Sequence, residues 1–293
     1  MDQNILLRSI DTSGTFRVFL GDMTKMAEDI RKINDATPTA TAVLGRTVTA
    51  ASLLGMMQKN YDDRITITLD GKGPGGKVTA VARGDGNVKA YMANPTVDLP
   101  LNDKGKLDVG GAVGKDGYIT VIKDFGFGDP YVGQVKLVSG EVAEDLASYF
   151  AVSEQIATAV ALGVLVDVDC TVKRAGGLLV QVLPYPDEAV LTKLEENIKK
   201  LTSITQLLEE SSDIYEAHAK LFEGIEMEIH EEDHPELKCD CSRERMEKAL
   251  ISIGRKDLQE IIDEDGEAEL VCHFCRTHYR FSKEELEKLI KEI

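Results

Sequence analysis

Four of the chain's five cysteines fall in one stretch, as Cys239-Asp240-Cys241 and then, after thirty residues, Cys272-His273-Phe274-Cys275. Thiolate sulfur is a soft ligand, and two close cysteine pairs brought together by an intervening fold supply the four donors of a tetrahedral zinc ion. The second pair has the knuckle spacing, in which two thiolates curl around one ion. In the first pair one intervening residue on an extended backbone sends both side chains the same way, a tighter turn than common zinc ribbons use. One zinc per chain, held by Cys239, Cys241, Cys272 and Cys275, is the expected cofactor. Permanent disulfides are not expected of a chain without a secretory signal, because cytosolic thiols are kept reduced. His234, His273 and His278 lie nearby, but four thiolates fill the shell and leave the histidines exposed or behind the ligands.

The elements that must position these thiols can be read from their caps. Ser242 caps a helix carrying Met246, Leu250 and Ile251, and Gly254 closes it. Asp257 with Glu260 heads a short helix bearing Leu258, Ile261 and Ile262. Asp263-Glu264-Asp265-Gly266 lacks the spacing of a calcium loop and forms a turn into a strand, Glu267 to Val271, that delivers Cys272. Tyr279-Arg280-Phe281 returns, and Ser282 with Glu285 makes a capping box for a last helix with Leu286, Leu289 and Ile290. A core this small rarely contributes more than about 3–5 kcal/mol, whereas structural zinc contributes about 10–16 kcal/mol in finger peptides. The metal is therefore expected to hold the segment 234–293 folded.

At 293 residues the chain is long enough for more than one folding unit. Lys+Arg 34 against Asp+Glu 51 gives a formal net charge of -17, which repels phosphate backbones and argues against general nucleic-acid binding. No apolar run approaches the ~20 residues of a membrane span. Asp2, Arg8 and Asp11 flank only a short apolar run, unlike a signal peptide, so a cytoplasmic location is expected.

Residues 1–186 read as a mixed α/β domain. Ile5 to Ile10 and Thr15 to Leu20 are short strands joined at Ser13-Gly14, a helix follows from Met23 to Ile33, and a second runs from about Ala40 to Met57. That second helix is rich in Ala, Thr and Leu, which predicts burial on most sides, and Pro38 sits near its start. Gly71 to Val78 imitates a phosphate-binding loop. Val78 stands where Ser or Thr would reach magnesium, and a strand-like run, Val78 to Ala82, follows instead of a helix. The glycines are read as hairpin chemistry after Ile65 to Thr68, with Val88 to Met92 as a further strand. More strands lie between Gly105 and Val138, including Tyr118 to Val121 and Gly133 to Val138. Helices are expected at Val142 to Tyr149 and Ser153 to Thr158, and a hairpin at Gly163 to Val168 and Leu178 to Leu183. Ser153 and Glu154 are not read as catalytic, since no histidine precedes His218 to complete a triad. Cys170, in the last turn, is read as incidental.

From Pro184-Tyr185-Pro186 the character changes. Leu191, Leu194, Ile198, Leu201, Ile204 and Leu208 recur at helical spacing among charged residues, and Ile214, Ala217, Leu221 and Phe222 make a second pattern before the acidic stretch Glu226 to Asp233. This segment, 187–233, is either a solvated connector or an amphipathic element whose apolar stripe can be hidden or offered to a partner. The whole is an α+β chain: an N-terminal mixed domain, a charged helical linker and a small zinc module.

The cysteine constellation, in a C-terminal module behind a charged helical connector, resembles the redox-regulated 33-kilodalton heat-shock chaperone family. Ala42-Val43-Leu44-Gly45-Arg46-Thr47, Ser139-Gly140-Glu141 and Ser153-Glu154-Gln155 support the likeness across the chain. The resemblance implies a non-enzymatic, ATP-independent holdase for thermally unfolding and oxidatively damaged proteins, inactive when reduced and zinc-bound. It also implies that oxidation joins Cys239 to Cys241 and Cys272 to Cys275, releases zinc and exposes client-binding surface, with homodimers associated with activity. Zinc-bound thiolates do remain nucleophilic toward peroxide or hypochlorous acid. A disulfide across CxC would close a small, strained and easily reduced ring. Two other classes stay in view. A zinc-dependent thiol–disulfide oxidoreductase would use Cys272 or Cys275 but lacks the βαβ setting, and a zinc-ribbon nucleic-acid module would need a basic face.

Overall fold

An apolar helix that buries nearly every side chain needs a wall on each side, and two antiparallel sheets provide them. A computed structural model describes residues 3–291. It divides into two compact units, one reaching to Leu237 and the other starting at Lys238.

The first unit begins with β1 (Ile5–Asp11), β2 (Phe16–Asp22), α1 (Thr24–Asn34) and α2 (Pro38–Met56). Then come β3 (Arg64–Asp70), β4 (Val78–Arg83), β5 (Val88–Met92), a short α3 (Val109–Val113), β6 (Tyr118–Asp124) and β7 (Tyr131–Lys136). It continues through α4 (Val142–Tyr149), β8 (Thr158–Val166), β9 (Val172–Val182), α5 (Glu188–Lys200), α6 (Ile204–Glu209), α7 (Ile214–Leu221) and β10 (Met227–Asp233). One sheet has the order β5-β4-β3-β6-β7 and the other β10-β1-β2-β9-β8. Every ladder within them is antiparallel, which makes the fold α+β and not a parallel α/β sheet.

α2 lies between the sheets, and its small residues are what permit the approach. A Cβ on Gly45 would stand 2.7 Å from a methyl of Val164 in β8, and one on Gly55 2.3 Å from the carbonyl oxygen of Arg83 in β4. The buried hydroxyls of Thr47 and Thr49 donate to Val43 and Gly45 one turn back, at 2.7 and 2.8 Å, so burial leaves them satisfied. The helix starts at Pro38, ahead of the expected Ala40, because Thr37 caps it and proline suits the first position. The glycine-rich stretch after Asp70 is the connection between paired β3 and β4, as read from sequence. Gly73 and Gly75 donate to Val113 and Ala112, so the loop is pinned to the α3 backbone.

Three local expectations in this unit are corrected. Ser153 to Thr158 is not a helix: a π-helical turn, Phe150–Glu154, extends α4 and stops at Gln155, whose φ is 57°, after which Thr158 opens β8. The pattern from Leu191 to Leu208 is not one helix. α5 ends at Lys200, Leu201 is extended, and Ser203 caps α6 by accepting from Gln206 N–H at 3.1 Å. The acidic run before His234 is a strand, β10, paired with β1.

Residues 187–233 pack within the first unit. Leu194, Ile204, Leu208, Ile214, Leu221 and Phe222 are buried with Leu7, Phe16, Val18, Leu20, Leu178 and Val180 of the sheet in a core separate from the one around α2. The next residues are fastened as well: Asn4 donates to the Pro235 carbonyl at 2.8 Å and Val88 N–H to Glu236 at 3.0 Å. Compactness therefore changes at Lys238, four residues beyond the expected start of the module at His234.

The second unit holds α8 (Arg243–Ser252), α9 (Arg255–Glu264), β11 (Glu267–Val271), β12 (His278–Ser282) and α10 (Lys283–Leu289). Its core is small: Leu250, Leu258, Ile262, Phe281, Leu286, Leu289 and Ile290. α9 starts at Arg255 behind Gly254, whose φ is 93°, so Asp257 lies in its first turn and does not head it. The capping box at α10 is present, with Ser282 N–H donating to the Glu285 carboxylate at 2.9 Å.

Candidate metal centre

Each cysteine pair is presented by a different local device. Cys239 and Cys241 sit on the irregular segment leading into α8, whose extended cap Ser242 accepts from Arg245 N–H at 3.3 Å. Arg245 folds back onto that segment, donating to the Asp240 carbonyl at 2.9 Å and pairing with its carboxylate at 2.7 Å. Arg243 lies over the Phe281 ring at 4.3 Å and donates to Glu285 at 2.6 Å, which fixes the start of α8 on β12 and α10.

Cys272 and Cys275 occupy the turn of the β11–β12 hairpin. Cys272 N–H donates to Thr277 and Arg276 N–H to the Cys272 carbonyl, both at 2.9 Å, and Arg276 takes a φ of 58° to close the turn. This knuckle turns both sulfurs inward. A redox CxxC of the thioredoxin kind sits instead at a helix N-terminus, whose dipole acidifies the thiol.

The four sulfurs meet, all within 4.8 Å of one another. Cys239 and Cys272 sulfurs are 3.7 Å apart and those of Cys241 and Cys275 3.4 Å. A tetrahedron with metal–sulfur bonds of ~2.3 Å has edges of ~3.8 Å, so the cage fits a tetrahedrally bound ion. All four thiols are free, and Cys272 is buried. Burial pushes the thiols of Cys239 and Cys241 up. Burial also pushes Cys275 up, but hydrogen bonds from the Thr277 hydroxyl and N–H, with its cysteine neighbours, outweigh that and bring it to about 7. Thiolates this close repel one another, and a divalent cation among them removes the penalty.

The four residues picked from sequence are thus together and close enough to hold one metal ion. None of the nearby histidines belongs to that group. His273 and His278 are exposed, and His234 contacts the Asn4 carbonyl in the first unit. Cys170 is exposed in the β8–β9 turn, also in the first unit. Sequence reasoning missed Thr277 and Tyr279, which hydrogen-bond Cys275 and Cys241 at 3.1 Å each. Their positions, two and four residues after the last cysteine, were the available signal. No helix among the described residues is long and apolar enough to cross a membrane.

Comparison with known proteins agrees across the chain. The family model described as "Hsp33 protein" matches residues 4–282. A 33 kDa chaperonin of Clostridium perfringens (strain 13 / Type A) is 49% identical over 288 residues, 98% of this chain and 90% of its own. One from Alkaliphilus oremlandii (strain OhILAs) is 47% identical over 291 residues, 99% of this chain and 97% of its own. The crystal structure of the 33 kDa chaperonin (heat shock protein 33 homolog) from Thermotoga maritima superposes with a TM-score of 0.91 at 39% identity, over 100% of this chain and 99% of that one.

Proposed function

Because the chain belongs to the Hsp33 family of chaperones, we propose that it is an ATP-independent holdase whose client binding is controlled by the redox state of Cys239, Cys241, Cys272 and Cys275. The observation that carries this reading is the cage of four free sulfurs within 4.8 Å in a unit with a small apolar core. In the reduced state these residues would hold one zinc ion, which supplies the charge that four adjacent thiolates need and the folding energy the core lacks.

Oxidation removes the ligands. A thiolate attacks peroxide, becomes a sulfenic acid and releases hydroxide; its neighbour then displaces a second hydroxide to form the disulfide. Two such sequences, at Cys239–Cys241 and Cys272–Cys275, withdraw four electrons in total and leave no thiolate to bind metal. The unit that starts at Lys238 then has only its core, and one of this size rarely supplies more than about 3–5 kcal/mol. We read 187–233 as the element that responds. Its last strand, β10, is followed by the fastened residues His234 to Leu237 and, two residues on, by Cys239. Loosening of α5, α6 and α7 would uncover both their apolar stripes and the sheet face they cover, and such contiguous apolar surface binds unfolding chains. The acidic net charge of -17 favours solubility of the loaded complex. The role is non-enzymatic binding of client proteins in the cytoplasm, with dimerisation on activation.

Light scattering from a heat-unfolding client tests this, with reduced and peroxide-treated protein at equal concentration. Suppression by the oxidised form alone is expected. Equal suppression by both forms, or none after complete oxidation, overturns the reading.

A further inference from the structure

β8 is the end strand of its sheet, and among the described residues no strand pairs with its outer edge. Which backbone groups face outward follows from the ladder. Val182 N–H donates to Ala157, and Leu183 N–H donates to Thr15 on the other side of β9. In an antiparallel pair both groups of a hydrogen-bonded residue point at its partner and those of the next residue point away. Ala157, Ala159, Ala161 and Gly163 therefore bond β9, while Thr158, Val160, Leu162 and Val164 turn their N–H and C=O outward.

That edge floors a cleft of about 800 Å³, lined by every residue from Leu162 to Val168. Within the strand, Leu162 to Val166 all line it, as expected of a strand seen edge-on, since one face would show alternate residues; Asp167 and Val168 belong to the turn that follows. The walls follow from the two glycine contacts. Gly163 faces α6, where its Cβ would meet Ile204 at 2.8 Å, and Val164 faces Gly45 of α2. Pro38 and Arg46 stand on the α2 side with Leu101 and Lys106, and Thr205 and Glu209 on the α6 side. In the folded chain these walls leave no room for a second sheet, and the loosening of α6 proposed above would open the slot on that side to an extended chain while α2 still bounds the other. The edge itself carries only small and β-branched or aliphatic side chains and no charge to deter pairing, unlike acidic β10 at the sheet's other end.

We propose that this edge is a client-binding site of the oxidised chain, made accessible as α6 loosens: an extended apolar segment of an unfolding polypeptide pairs with Leu162 and Val164 as an added strand. The proposal rests on the holdase reading and makes recognition a matter of main-chain hydrogen bonds, which suits binding without sequence preference.

Cys170 is exposed and lines the same cleft, and once the other four cysteines are in disulfides it is the free thiol available for labelling. The test uses the oxidised full chain carrying a benzophenone at Cys170 and, as probe, a seven-residue peptide of alternating valine and threonine. Three versions are compared: unmodified, N-methylated at alternate residues, and N-methylated throughout. Alternate methylation leaves one hydrogen-bonding edge, so crosslinking at Cys170 should persist within about twofold, and full methylation should reduce it about tenfold or more. Equal crosslinking of all three, or unmodified peptide bound but crosslinked nowhere near Cys170, overturns edge pairing while leaving the holdase reading intact. Failure of the oxidised chain both to bind the peptide and to suppress client aggregation overturns both.

Discussion

The phenolic hydroxyl of Tyr279 donates to the sulfur of Cys241 across 3.1 Å. The bond ties the returning strand of the hairpin to the other half of the cage, and it pushes the phenol up to about 12. Hydrogen bonds from outside a metal's ligand set orient those ligands, and their loss costs about 10–100-fold in metal affinity. Tyr279→Phe should therefore weaken zinc binding by about tenfold and quicken oxidation by peroxide. Competition against a chromophoric chelator measures the first and thiol titration over time the second; unchanged affinity would show that the bond is incidental.

Cys170→Ser should leave both zinc content and activation by peroxide as they are. The thiol is exposed in a turn of the first unit, while all four cage sulfurs belong to the second. Metal analysis and the aggregation assay on this variant check the expectation, and a loss of activation would place the fifth thiol in the switch.

Phe222 joins the helices to the sheet. Its ring stacks on Phe16 at 5.8 Å between centroids and is almost wholly buried. Phe222→Ala should cost about 3–5 kcal/mol at this seam and so give partial holdase activity in the reduced, zinc-loaded protein. Hydrogen exchange should rise from about Asp187 onward and little between Ile5 and Leu183, a milder copy of the oxidised pattern. Protection unchanged in fully oxidised, active protein would separate activity from this segment.

His218 makes the same seam sensitive to acid. Burial holds its imidazole below the ordinary value, with the Ser9 hydroxyl 2.8 Å from Nε2 and the Phe222 ring beside it. A depressed basic group stays neutral in the folded state while the unfolded chain takes up a proton. Its effect is absent above about pH 6.5, and stability falls as pH drops from there toward the lowered folded value. Amide exchange in α7 should accordingly quicken between neutral pH and pH 5 in wild type and change less in His218→Gln.

The cage was legible because ligand chemistry limits residue type and spacing together. The elements around it were legible for a similar reason: Ser242, Gly254, Ser282 and Glu285 mark helix ends through their own backbone bonds. What escaped was written in partners distant along the chain. Met227 to Asp233 is acidic and mostly exposed, and nothing local makes it a strand; β1 does, through ladder bonds across more than two hundred residues. The stripe from Leu191 to Phe222 announced an apolar face but not its covering, which is the sheet carrying Leu7, Phe16 and Leu178. At Ser153 the helical pattern was real, but Gln155 takes a left-handed φ of 57° and the chain leaves as β8.

The pairing of Leu6 with Asp233 has a consequence for how the protein is made. β1 is synthesised more than two hundred residues before its outer neighbour, β10, which comes near the end of the first unit. Until residues to Phe222 have emerged, the sheet face with Leu7, Phe16 and Val18 has no cover. At about 5–20 residues per second that wait lasts roughly 10–40 s. A nascent chain thus displays, for that interval, the same apolar face that oxidation is proposed to uncover later.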